Sequence, residues 1–122
     1  MKIAGIDHVQ LAIPVGAEDR ARAFYGDLLG LSEIPKPAEL AGRGGCWFER
    51  GDVKVHIGVD VDFHAARKAH VAFNVDEVRT LADAARAAGY EVKDDDPIPG
   101  VDRIFVFDPF GNRLEFQAPA SS

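Results

Sequence analysis

Cysteine is nearly absent. Cys46 is the only one in 122 residues, so no disulfide can form within the chain, which fits a reducing compartment. Basic side chains are also in the minority. Fourteen Lys and Arg stand against 20 Asp and Glu, for a formal charge of −6. Neutralising phosphates needs the opposite balance, so nucleic acid is not expected as a partner. An anionic membrane surface is not expected either. No apolar run approaches the roughly 20 residues that span a bilayer. The opening MKIAGIDH has no secretion-signal core and passes at once into strand-like sequence. The expectation is a cytoplasmic protein whose partner is a small molecule. What is present in quantity is apolar residues, at 47% of the chain. That suffices for one domain over 1–122 with a real core.

The order of elements repeats. In IDHVQLAIP, Val9, Leu11 and Ile13 alternate with His8, Gln10 and Ala12, as in a half-buried strand. Ala17, Ala21, Phe24, Leu28 and Leu31 then follow at steps of four and three, predicting an amphipathic helix that stops at Gly30. After a Pro- and Gly-rich loop, CWFERGDVKVHIGV predicts two strands turning at Arg50-Gly51-Asp52. HVAFNVDEV then restarts the pattern. Asp76 is placed to cap a helix with the buried stripe Val78, Leu81, Ala82 and Ala85, closed by Gly89. YEVK predicts a short strand, and RIFVFDPFGNRLEFQ a hairpin turning over Asp108–Asn112. His8 and His70 lie 62 positions apart, and His56 and Glu115 lie 59 apart. Duplication of one βαβββ unit explains these offsets. The expected fold is α+β: module 1 over about 1–62, a linker over about 60–69, and module 2 over about 70–122.

Strand alternation selects candidate ligands. If the apolar positions pack under the helices, His8, His56, His70 and Glu115 all point to the opposite face, in two pairs related by the repeat. Imidazoles with a carboxylate suit Zn, Fe(II), Ni, Co or Mn. Two His and one Glu also match the facial triad of non-haem iron sites. His64 has no partner at its offset and is expected to be a linker residue.

At these residues the chain resembles the vicinal oxygen chelate superfamily of glyoxalases, bleomycin-resistance proteins and extradiol dioxygenases. The resemblance rests on IDHVQLAIP, RARAFYGDLLGL, KAHVAFNVDEV and FVFDPFGNRLEFQ. It implies two βαβββ modules around a U-shaped cleft, a homodimer, and a divalent metal held from the first and last strands of each module. His8, His70 and Glu115 fall on the family's ligand positions. His56 falls where glyoxalase I carries Glu, a departure that leaves it either a fourth ligand or the general base. The resemblance implies a metal-dependent enzyme acting on a substrate that chelates through adjacent oxygens, by isomerase, lyase or ring-cleaving dioxygenase chemistry, with His56 and Glu115 catalytic. The alternative is a metal-free protein that sequesters a small molecule, as bleomycin-resistance relatives do.

Several further residues are expected to meet the substrate. Gln10 and Asn74 lie beyond the first-strand histidines, with amides suited to orienting it. Phe48 and Phe105 are expected to line the cleft on one face, with Cys46 in phase and Trp47 opposite. Arg103 is placed either to clamp a carboxylate or phosphonate or to pair with the acidic run Asp94–Asp95–Asp96.

Overall fold

The computed structural model describes residues 1–94 and 96–120. Of the acidic run, Asp95 lies outside the described residues. Contacts divide the chain into two compact units, Met1–His64 and one that begins at Ala65. Residues 65–69, expected in a linker, therefore count with the second unit.

The first unit runs β1 (Val9–Ile13), α1 (Glu18–Ala21) continuing into a π-helical segment (Arg22–Leu28), β2 (Ser32–Ile34), β3 (Cys46–Arg50) and β4 (Val53–Val59). Its sheet has the order β1-β4-β3-β2, with β1 parallel to β4 and the rest antiparallel. The helix is wider than its 4-3-4-3 spacing predicts. The Leu29 N–H reaches back five residues to the Phe24 carbonyl, at 3.0 Å. In this segment the adjacent Phe24 and Tyr25 are both fully buried. Each such ring removed from water contributes about 1.5–3 kcal/mol. Gly30, at φ 75°, ends the helix where a left-handed residue is needed.

The second unit repeats the plan with β5 (Val71–Asn74), α2 (Val78–Ala87), β6 (Val92–Asp94), β7 (Val101–Phe107) and β8 (Arg113–Pro119). Its sheet order is β5-β8-β7-β6. The two sheets are equivalent residue by residue. His56 pairs with Gln10, two residues after His8, and Glu115 pairs with Ala72, two residues after His70. α2 buries Val78, Ala82 and Ala85, while Leu81 is only half-buried. Asp76 is not its cap. Glu77 occupies that position and makes no side-chain capping bond, so the helix starts one residue later and is held by packing.

The hairpin between β7 and β8 is built around a buried carboxylate. Asp108 Oδ1 accepts the backbone N–H groups of Phe110 and Asn112, and Oδ2 accepts the Asn112 side-chain amide. The Asn112 side-chain oxygen Oδ1 in turn accepts the Ala66 N–H at 2.9 Å, tying residues 65–67 to the sheet. Asn112 is 1% exposed and Asp108 4%. Asn112→Ala strands both partners in a dry site, so urea unfolding should show a loss of about 2–3 kcal/mol.

Candidate metal centre

In each sheet, alternate side chains lie under the helix and the others form a second face. In the first unit that second face carries a stack of three rings. Trp47 lies 3.8 Å from His56 with an interplanar angle of 3°, and His56 lies 4.0 Å from His8 at 21°. The register makes this stack, because Trp47 on β3 stands directly opposite His56 on β4. His56 is 6% exposed. Burial, then the neighbouring His8, holds its pKa below the ordinary histidine value. Its imidazole is therefore neutral at pH 7, with a lone pair for a proton or a metal.

His8 is oriented by its neighbour. Asp7 Oδ2 lies 2.9 Å from His8 Nδ1, and the Lys54 ammonium lies 3.7 Å from the other Asp7 oxygen. The bond to His8, and then Lys54, holds the Asp7 carboxyl below its usual range. An ionised carboxylate only accepts, so Nδ1 carries a proton and Nε2 is the ring nitrogen left to offer a metal. This is the arrangement that prepares a histidine for a metal. Asp7→Asn should lower metal affinity at least tenfold in a calorimetric titration, with little change in melting temperature because Asp7 is exposed.

The second unit carries a matching pair. His70 Nδ1 lies 2.9 Å from the Lys68 carbonyl oxygen. A carbonyl only accepts, so here too the proton sits on Nδ1. His70 Nε2 faces Glu115 Oε1 at 3.0 Å. Burial pushes the Glu115 carboxyl up, but its bonds to Arg103 and His70 outweigh that and hold it below the usual glutamate range. The Nε2–Oε1 contact is a hydrogen bond that needs a proton between the two atoms, and a divalent cation shared by both would take that proton's place. The donor set of an imidazole Nε2 and an ionised carboxylate fits a divalent metal of the Zn, Fe(II), Ni, Co or Mn type. Among the described residues no three His, Cys, Asp or Glu side chains are gathered as a metal-holding group.

The other expected site residues are distributed unevenly. Phe105 presents its edge to His70, 5.5 Å between centroids and 89° between planes. Asn74 is engaged by Gln117, whose amide donates to its Oδ1 at 3.1 Å. The Gln10 side chain lies across Gly58 on the ring-stack face. Phe48 is a correction. It pairs with Val55, lies beside Tyr25 under the helix and is 1% exposed, so it is core and does not line a cleft. Cys46 shares that side. Burial raises its thiol to about 11, which leaves it protonated and unreactive at neutral pH. Arg103 is also corrected. Its Nε donates to Glu115 Oε2 at 3.1 Å and its Nη1 to the Asp96 carbonyl, so Glu115 occupies the guanidinium that was expected to clamp a substrate. Asp94 pairs instead with Arg79. His64 is exposed and bonds the Asp62 carbonyl, as a linker residue would. Sequence reasoning missed Asp7 and the Lys68 carbonyl, which fix two tautomers, and it put Trp47 on the wrong face.

A model of the Glyoxalase/Bleomycin resistance protein/Dioxygenase superfamily matches residues 5–116. The chain belongs to this superfamily. A lactoylglutathione lyase from Haemophilus influenzae is 34% identical over 117 residues, covering 84% of each chain. Among solved structures, a glyoxalase family protein from Bacillus anthracis is 51% identical, with a TM-score of 0.92 and 98% of both chains covered. The fosfomycin resistance protein FosX from Listeria monocytogenes shares the fold at 19% identity, with a TM-score of 0.79 and 98% and 96% coverage. The tandem βαβββ plan is thus the superfamily's own. No helix among the described residues is long and apolar enough to cross a membrane.

Proposed function

We propose that this superfamily member is a divalent-metal-dependent, glyoxalase-like enzyme acting on a small substrate that chelates the metal through adjacent oxygens. In this reading His8, His70 and Glu115 hold the ion, either within one chain or across a homodimer. The observation that carries it is the His70–Glu115 pair, with Nδ1 anchored on a backbone carbonyl and Nε2 held 3.0 Å from a carboxylate oxygen. The ring stack supports a separate role for His56. Two imidazoles bound to one ion at tetrahedral angles put their centroids about 5 Å apart, whereas His8 and His56 lie face to face at 4.0 Å. His56 is therefore assigned as general base, in keeping with its depressed pKa.

A bound divalent ion supplies Lewis-acid polarisation of the chelating oxygens. The chain's residues do the remainder. His56 takes a proton from the carbon next to a polarised carbonyl and returns it to the neighbouring carbon, so no atom is gained or lost. Trp47, stacked on His56, holds the imidazole plane and shields it from water. The lyase relative favours this proton-shift chemistry over ring cleavage.

The test is thioester formation from glutathione and methylglyoxal, monitored by absorbance, before and after EDTA and with each metal restored. Turnover should vanish with chelator and return with metal, and His56→Ala should lower kcat by about 10²–10⁴-fold. If no metal supports turnover and small-ligand thermal shifts ignore EDTA, the protein is a sequestering one instead.

A further inference from the structure

Three cations surround one phenylalanine in the second unit. The Arg67 guanidinium carbon lies 5.6 Å from the Phe107 ring centroid, the Lys93 ammonium 5.7 Å and the Arg113 guanidinium carbon 5.8 Å. A ring has two faces, so at least two of these charges share one. Arg113 also lies 4.6 Å from the Phe105 ring. Lys93 has a partner in Glu91, at 3.6 Å, and Arg103 on the same sheet is taken by Glu115. Arg67 and Arg113 have no carboxylate partner among the described residues. The Arg113 Nε is buried without any acceptor. The chain carries net charge −6, and Arg22 and Arg79 each hold two carboxylates, whereas these two guanidiniums are gathered at one ring.

We propose that Arg67 and Arg113, with Lys93 beside them, form a binding site for an oxyanion, the carboxylate or phosphate of a small ligand. Guanidinium forks suit such groups because they donate two parallel hydrogen bonds. The aromatic faces hold the cations in place and keep water from one side. The place in the sheet says what the anion belongs to. Phe107 stands opposite Arg113, and Phe105 opposite Glu115, in adjacent rows of one face. Phe105 also touches the His70 ring edge-on. Arg113 is two residues from Glu115 on the same strand, about 7 Å along it. A ligand chelated at the His70–Glu115 end can lay an anionic group on Arg113 and Arg67. The assignment as a substrate subsite rests on the proposed metal-dependent function. The anion site itself does not.

Titrating EDTA-treated protein with inorganic phosphate and, separately, with acetate separates the two. Arginine Nε–H and aromatic resonances are followed by NMR. Saturable shifts confined to Arg67, Arg113 and the two phenylalanines are expected with at least one of the anions, and the stronger binder identifies the group. Arg113→Met and Arg67→Met keep the packing on the rings, and each should weaken binding at least tenfold while the melting temperature stays within a few degrees. Absence of a saturable shift with either anion, or full affinity in both variants, overturns the site. Anion binding with no metal binding leaves this site standing and removes the metal reading. Metal-dependent turnover without anion binding does the reverse.

Discussion

Gly45→Ala should destabilise the first unit by about 3 kcal/mol or more, read as a lower urea midpoint. Gly45 has φ 79°, and a Cβ there would lie 2.1 Å from the Ile57 carbonyl oxygen, which is backbone and cannot swing aside. The left-handed conformation alone costs an L-residue about 1–2 kcal/mol. The clash adds to it, because β3 must move off β4 at the residue before Cys46. The Gly45 N–H also donates to Glu18 Oε2 at 3.0 Å, so the shift would cut the tie between the long loop and α1. Gly16→Ala is the control. Gly16 has φ 76° with nothing near an added Cβ, so it should lose only the dihedral part. Trp47 is the only tryptophan and stacks on His56, so its fluorescence reports whether Gly45→Ala also loosens the ring stack.

Glu115→Ala should have the largest effect on the candidate site. It removes one of the two candidate ligands in the second unit and leaves Arg103, whose side chain is 16% exposed, without its carboxylate. Metal affinity should fall at least a hundredfold by calorimetry, and stability by about 3 kcal/mol, the usual cost of breaking a buried pair from one side. Glu115→Gln separates the parts, since it keeps shape and a hydrogen bond for Arg103 but removes the charge a metal needs. The pH dependence follows from the depressed Glu115 pKa. A folded-state value below the unfolded one contributes stability that is complete above the unfolded pKa, near about 4.3. That contribution is lost as pH falls through the folded value. Wild type should therefore lose melting temperature more steeply than Glu115→Gln from about pH 5 downward. Parallel curves for the two proteins would show that the Arg103–Glu115–His70 bonds do not carry this linkage.

Much of this was written in alternation and offset. The phase of Val9, Leu11 and Ile13 turns His8 away from the helix, and the repeat carries that phase to His70. The duplication is then visible in the register, where His56 and Glu115 hold equivalent places. What escaped were features set by pairing between strands. Whether Phe48 or Trp47 faces the core depends on β3 register, and β3 alone, with Cys46, Trp47 and Phe48 all apolar, has no alternation to read. Counting back from the Arg50–Val53 pair at the turn puts Trp47 opposite His56, so the signal was present in the hairpin. The destination of Arg103 was not. Antiparallel pairing of β7 and β8 puts Arg103 and Glu115 on one face, and only side-chain reach joins their ends. The tautomers of His8 and His70 rest on Asp7 and on the Lys68 carbonyl, and no periodicity marks a backbone oxygen. The π-helical segment likewise hides behind spacing that fits an ordinary helix.

On the proposed function, His8, His70 and Glu115 hold a divalent metal. Elemental analysis of protein purified without a histidine tag, then dialysed against Zn, Ni, Co, Mn or Fe(II), tests it most directly. Close to one ion per chain is expected in wild type, with its loss in the double variant His8→Ala with His70→Ala. Wild-type protein that takes up no metal, or a double variant that holds as much as wild type, would contradict it.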